Sequence, residues 1–184
     1  YVYPSRADFE ADSFGWDIRA EHGITGQALE GEALRAWDPH LSPRYKFAYL
    51  MEDHGYISSP GRYVAALADW FQSQGGRFQC ADVQAIKALE AGVSLTIDGQ
   101  SHEYHRLVLA TGAFTDTLSR DVGIKAQIEP ERGYHLLLKR PNFMPKQALM
   151  VADHKYVVTP MEEGLRVAGV VEFGGFKAGK SAAP

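Results

Sequence analysis

Several groups of residues in this chain are of types that could do chemistry. The corner Thr111-Gly112-Ala113 ends an apolar run within "RLVLATGAFTD", residues 106–116. Small side chains there would let backbone amides approach a phosphate or the edge of a bound cofactor. The segment "TDTLSRDVG" behind it reads as a short helix with Thr115 as N-cap and Gly123 as its stop, adding the positive end of a dipole. The same residues also describe an ordinary strand-to-helix turn. In "EPERGYH", residues 129–135, a cation (Arg132), a phenol (Tyr134) and an imidazole (His135) flank Gly133. They could grip a carboxylate, or form a polar strand edge. In "DHKYVVTP", His154 and Tyr156 would share one face of a strand, because side chains alternate with period two. That pair could line a polar pocket or sit on the surface. Glu172, in "VVEFGG", is a lone carboxylate on an apolar strand, either functional or paired with a nearby base.

Other chemistries lack their residues. No Gly-x-Gly pair occurs among the 18 glycines, so there is neither a dinucleotide fingerprint nor a P-loop. None of the seven histidines sits in His-x-x-x-His or in ligand spacing with Cys80, so no metal is expected. No Gly-x-Ser-x-Gly elbow is present. A net charge of −4 leaves no basic excess to neutralise phosphates, which argues against nucleic acid as a partner. One cysteine excludes an internal disulfide and suits a reducing compartment. No apolar run reaches the roughly 18 residues that span a bilayer, and residues 1–16 show no signal-peptide pattern. The expected location is cytoplasmic, with peripheral association at the inner face of the cytoplasmic membrane kept open. The first residue is Tyr1 rather than Met and "KAGKSAAP" ends abruptly, so an internal piece of a longer protein is expected.

The elements that must position these residues follow from periodicity. Residues 6–22 read as one helix closed by Gly23, and "GEALRAWDP" as a second, stopped by Pro39. "FAYLMEDHGYIS" reads as a strand and a turn at Asp53, His54 and Gly55. In "SSPGRYVAALADWFQSQGG", the residues Tyr63, Val64, Leu67, Ala68 and Phe71 recur at helical spacing between Pro60 and Gly75-Gly76. Breaks at Gly92 and Asp98-Gly99 then suggest an antiparallel meander, followed by a buried strand Leu107–Ala110. Three more strands are expected in "IEPERGYHLLLKR", "KYVVTP" and "GLRVAGVVEFGG", with one face solvated as Leu165-Arg166-Val167 alternates. Only the last six residues resemble a low-complexity tract. Fold class is therefore α+β, or mixed α/β.

In that order, "DHGYISSPGRYVAALADWFQSQGGRF", "RLVLATGAFTDTLSRDVGIKAQIEPERGYHLLL" and "KYVVTPMEEGLRVAGVVEFGG" resemble the middle of the FAD-dependent D-amino-acid dehydrogenases. These belong to the wider D-amino-acid oxidase, glycine oxidase and sarcosine oxidase superfamily, and the likeness runs over nearly the whole chain. It implies an antiparallel-rich substrate-domain sheet with flanking helices, plus part of an FAD-binding domain. By that resemblance, residues 1–50 and 126–184 belong to the substrate domain and 51–125 to the FAD-binding domain. It places Thr111, Gly112 and Ala113 near the flavin's phosphates and Val83 at the adenine end through its backbone. Tyr156 and His154 fall where substrate-side residues occur, with Tyr134 a further candidate and Arg132 a polar anchor.

The implied reaction is oxidation of an amino acid, D-amino acids foremost, to a 2-oxo acid and ammonia, with a quinone or dioxygen as electron acceptor. The family's N-terminal glycine fingerprint and its C-terminal arginine segment have no match here. The isolated piece is therefore expected to retain FAD poorly and to be inactive alone. Two rivals stand beside this reading: a non-catalytic module that binds a small ligand or a partner, and a sarcosine- or glycine-oxidase-type enzyme.

Overall fold

The computed structural model describes residues 1–176 and 179. Apart from Gly179, the low-complexity tail lies outside them. The chain is mixed α/β and forms two compact units, Tyr1–Ala66 with Gly133–Val171, and Leu67–Arg132 with the segment from Glu172.

The first unit is built on β1 (Val2–Tyr3), β2 (Gln27–Glu30), β3 (Phe47–Leu50), β8 (Leu149–Val151) and β9 (Tyr156–Met161). Two longer strands, β7 (Glu131–Leu138) and β10 (Gly164–Phe173), complete a sheet in the order β2-β3-β1-β8-β9-β10-β7. Strand β1 joins β8 in parallel, while β1–β3, β2–β3, β8–β9 and β9–β10 are antiparallel. Register fixes the faces. Leu29, Ala48, Val2, Val151 and Tyr156 lie opposite one another in turn across five strands, so they share one face. Leu34, Leu41 and Tyr45, from α3 (Gly31–Trp37) and the loop behind it, pack on that face. Arg35 holds this loop by donating to the carbonyls of Leu41 (2.7 Å) and Tyr45 (2.9 Å).

The opposite face carries Tyr3, Phe47 and Ala152, all buried. Phe9 of α1 (Arg6–Ala11) stacks on Phe47 at 4.6 Å, and Trp16 of α2 (Ser13–Glu21) meets Tyr49 edge-on at 4.7 Å. Burying a phenylalanine as fully as Phe47, at 0% exposure, is worth about 1.5–3 kcal/mol. The expected single helix over 6–22 is thus two helices. Ser5 caps α1 by accepting from the Asp8 amide (3.2 Å). Asp12 then leaves the helix, and its carboxylate accepts a 2.9 Å hydrogen bond from the Tyr3 hydroxyl, which itself accepts from Trp16 Nε1 at 2.9 Å. Aspartate competes well for such local bonds and poorly for a helix interior.

Burial, with the nearby Asp12 carboxylate adding to it, pushes the Tyr3 phenol up to about 12. Its folded-state pKa lies above the ordinary value of 10, so its stabilising contribution is complete below pH 10 and is lost as pH climbs toward 12. Tyr3→Phe is expected to cost about 1–3 kcal/mol at neutral pH, because Trp16 and Asp12 lose a partner in the interior. It should also flatten the alkaline fall in stability; urea unfolding at pH 8 and pH 11 checks both.

Helix α4 (Pro60–Ser73) runs from the first unit into the second. Its apolar stripe is present as the spacing predicts, yet Tyr63, Val64, Leu67 and Phe71 are all about half exposed. The second unit holds the expected meander, β4 (Val83–Leu89), β5 (Gly92–Ile97) and β6 (Gln100–Tyr104). Ile86, Val93, Leu95 and Ile97 form its core, with Leu107, Leu109, Leu118 and Val122 packed against them.

Some expectations are corrected. Leu107–Ala110 is not a strand: neither sheet includes it, and a strand needs a neighbour for its amides and carbonyls. Leu107 and Leu109 turn inward while Val108 is 86% exposed, so its alternation is real but unpaired. Thr115 does not cap α5 (Thr115–Ser119); a 3-10 turn over Gly112–Phe114 leads straight in and Thr115 is already helical. In β10, Leu165 is buried and Arg166 and Val167 are half-buried alike, so no solvated face alternates there. Strands β1, β2 and β8 have too few residues to show a period, and pairing alone reveals them.

Candidate functional site

Within the first unit, a cavity of about 660 Å³ opens where β3 ends and β1 and β8 begin. Sheet residues line it: Val2, Leu29, Ala48 and Leu149 are buried, and Met150 and Val157, from the opposite face of β8 and β9, are half-buried. The strand positions Met150 and Val157 face one another across β8 and β9. Trp37, at the end of α3, and Tyr49 form apolar walls. The rim is polar. His54, Tyr56 and Ser58, from the exposed linker between β3 and α4, line it together with Gln147. Its size suits a small-molecule site, and its lining is polar and apolar in similar measure. Sequence reasoning read His54 only as a turn residue and did not single out Trp37 or Met150. Their meeting depends on β8, whose three residues carry no signal of their own.

Tyr156, Tyr134 and His154 do not line this cavity. Tyr156 starts β9 and is half-buried, packed against the α3-side core beside Val158. Its ring and that of His154 lie 6.2 Å apart and 22° from parallel, so the expected pair does form. His154, however, sits in the turn before β9 rather than within a strand, with Lys155 in the left-handed region (φ 56°). Asp153 joins them, accepting from Arg44 at 2.8 Å, with His154 Nε2 at 3.5 Å. Burial, then the Asp153 carboxylate and Tyr156, raise the neighbouring Tyr45 phenol above its ordinary range. Tyr134 is half-buried on β7. Arg132 donates to Glu172 Oε2 at 3.2 Å and to the Gly179 carbonyl at 3.0 Å, which answers what Glu172 pairs with.

In the second unit, Thr111 and Gly112 are exposed and Ala113 half-buried. Gly112 has φ +56° and no heavy atom within 4 Å of where a Cβ would sit. That backbone is open to a flat group and suits glycine. The hydroxyls of Thr111 and Thr115 lie 3.2 Å apart. Val83 packs into the same small core as Leu109, two residues before the corner. Thr111, Gly112 and Ala113 fit an edge contact with a nucleotide such as FAD. They form no phosphate cradle of their own, and a five-residue α5 carries little dipole. Among the described residues no group of three or more His, Cys, Asp or Glu could hold a metal ion, and no helix is long and apolar enough to cross a membrane.

Comparison with known proteins agrees with this architecture. A D-amino-acid oxidase from Bradyrhizobium diazoefficiens is 34% identical over 180 residues, covering 97% of this chain and 42% of that protein. Glycine oxidase from Geobacillus kaustophilus superposes with a TM-score of 0.79 at 20% identity, over 97% of this chain and 48% of that one. L-proline dehydrogenase from P. horikoshii gives 0.72 at 16%, over 92% and 47%. Those two likenesses concern the fold, and the chain spans about half the length of the proteins it matches. The model of the FAD dependent oxidoreductase (DAO) family matches residues 2–183, and the chain belongs to that family.

Proposed function

We infer that this chain is the substrate-side portion of an FAD-dependent enzyme that oxidatively deaminates amino acids, D-amino acids foremost. The observation that carries the reading is the 34% identity to a D-amino-acid oxidase across almost the entire chain. The first unit corresponds to the substrate domain, and the open corner at Gly112, with Val83, to an edge of the FAD-binding domain. In balance, the substrate loses a hydride from Cα and a proton from nitrogen, and water then converts the imine to a 2-oxo acid and ammonia. The chemistry the flavin supplies when bound is acceptance of those two electrons, later passed to a quinone or to dioxygen.

The chain's own residues bind and orient. Arg132, held in the second unit by Glu172 and the Gly179 carbonyl, carries a cation of the kind that binds a carboxylate. Tyr156 offers a phenol held between His154 and Tyr45, and Tyr134 a second one. In the FAD-loaded protein, Tyr156→Phe is expected to lower kcat/KM about 10- to 100-fold with flavin absorbance unchanged, as for the loss of one positioned hydrogen bond. Unchanged kinetics would remove Tyr156 from the site. A panel of D- and L-amino acids, followed by ammonia release and flavin bleaching, tests the reaction itself. FAD-loaded protein that oxidises none of them would overturn the reading.

A further inference from the structure

We propose that Arg166 and Thr159, on the first unit's sheet, form an anion site that takes a carboxylate of a small-molecule ligand. That this ligand is the amino acid rests on the reaction proposed above; the anion site rests on the geometry. Arg166 stands on β10 with Thr159 directly opposite it on β9. Val157, two residues before Thr159, lies opposite Ala168 of β10 on one side and Met150 of β8 on the other. Alternation along the strands therefore puts Arg166, Thr159, Ala168, Val157 and Met150 on one face. All five are half-buried, and Met150 and Val157 line the cavity. Thr159 follows Val157 by about 7 Å along β9, and Arg166 lies about 5 Å across from Thr159, a span that an arginine side chain covers.

The charges single out Arg166. Its Nε is buried and has no acceptor among the described residues. Such a donor has given up its hydration for nothing, and folded proteins keep few of them. Glu162, in the turn between β9 and β10, does not answer it, because Arg62 holds that carboxylate at 2.6 Å. Arg132 differs: Glu172 and the Gly179 carbonyl already accept from it. A free guanidinium presents a planar fork of donors that matches the two oxygens of a carboxylate. The Thr159 hydroxyl beside it supplies one more donor. Val157 and Met150 next to the pair suit a ligand whose acid group adjoins hydrocarbon, which a carboxylic acid has and inorganic phosphate lacks.

The test measures propionate binding to the chain by calorimetry, with propionamide and inorganic phosphate as controls. Arg166→Met keeps the stem and removes the charge, and should weaken propionate about 10-fold or more. Thr159→Val should weaken it about 3-fold, and Arg166→Lys should lose less than Arg166→Met, since charge remains while the fork does not. Arg106→Gln, which alters an exposed arginine of the second unit, should bind as the parent does. Arg166→Met should unfold no earlier than the parent, because it removes a donor without a partner. Propionate should raise the unfolding midpoint of the parent and not of this variant. In the FAD-loaded protein, Arg166→Met should raise KM about 10-fold with a smaller change in kcat. A rise for D-leucine and D-glutamate alike makes the α-carboxylate the occupant; a rise for D-glutamate alone makes it the side-chain carboxylate. Propionate binding that survives Arg166→Met, phosphate or propionamide binding as tightly as propionate, or an equal loss in Arg106→Gln overturns the site. Absence of turnover with every amino acid, while propionate binding still depends on Arg166, instead overturns the reaction and leaves the anion site standing.

Discussion

Phe47→Ala is expected to lower the free energy of unfolding by about 3–5 kcal/mol, the range for truncating a fully buried aromatic ring. Phe47 is 0% exposed and stacks on Phe9 at 4.6 Å, and Tyr3 meets it edge-on at 6.2 Å. The Arg6 guanidinium also lies over its ring, 5.0 Å from the centroid. Removing the ring takes away a surface that both α1 and β1 use, and β3 cannot close the gap without leaving its register with β1 and β2. Phe47→Leu keeps most of the volume and should cost less than half as much. Urea unfolding reads the difference as a shift in midpoint with an unchanged slope. A loss below about 1 kcal/mol for Phe47→Ala would mean that this face of the sheet is not packed as described.

Gly164→Ala is expected to be nearly as damaging, for a backbone reason. Gly164 opens β10 with φ +139°, a conformation that residues with a side chain rarely adopt. A Cβ there would also press on the carbonyl of Leu138, at the end of β7, and come within 2.9 Å of Lys139 Cα. The strain costs about 1–3 kcal/mol and the forced separation of strands a comparable amount. Because β10 lies between β9 and β7, the separation would reach Arg132–Glu172 at one side and the strand carrying Tyr156 at the other. Loss of amide-exchange protection along β7, against retained protection of β1–β3, is the expected signature. Uniform loss across the unit would point to global unfolding instead.

Much of the element order was readable because the signals are local. Pro60 and Gly75-Gly76 delimit α4, Gly92 and Asp98-Gly99 mark the turns of the meander, and Gly123 ends its helical segment with φ +77°. The likeness to the family was readable too, since it rests on segments in order, and the family match confirms it. What failed were inferences about neighbours. Leu107–Ala110 has the composition of a buried strand, but composition does not state whether a paired edge is present. Val2–Tyr3 and Leu149–Val151 are strands only because each finds the other. The cavity belongs to the same class: His54, Trp37 and Met150 are scattered along the chain, and only the parallel pairing of β1 with β8 brings their elements to one place.

The sequence by itself determined the class of fold, the family and the turn positions, because each is carried by residue types within a short window. Tertiary structure alone decided which apolar residues are buried, that Glu172 pairs with Arg132, and where a small molecule would fit. Burial and pairing depend on what lies across from a residue, and strand register, not chain distance, chooses that neighbour.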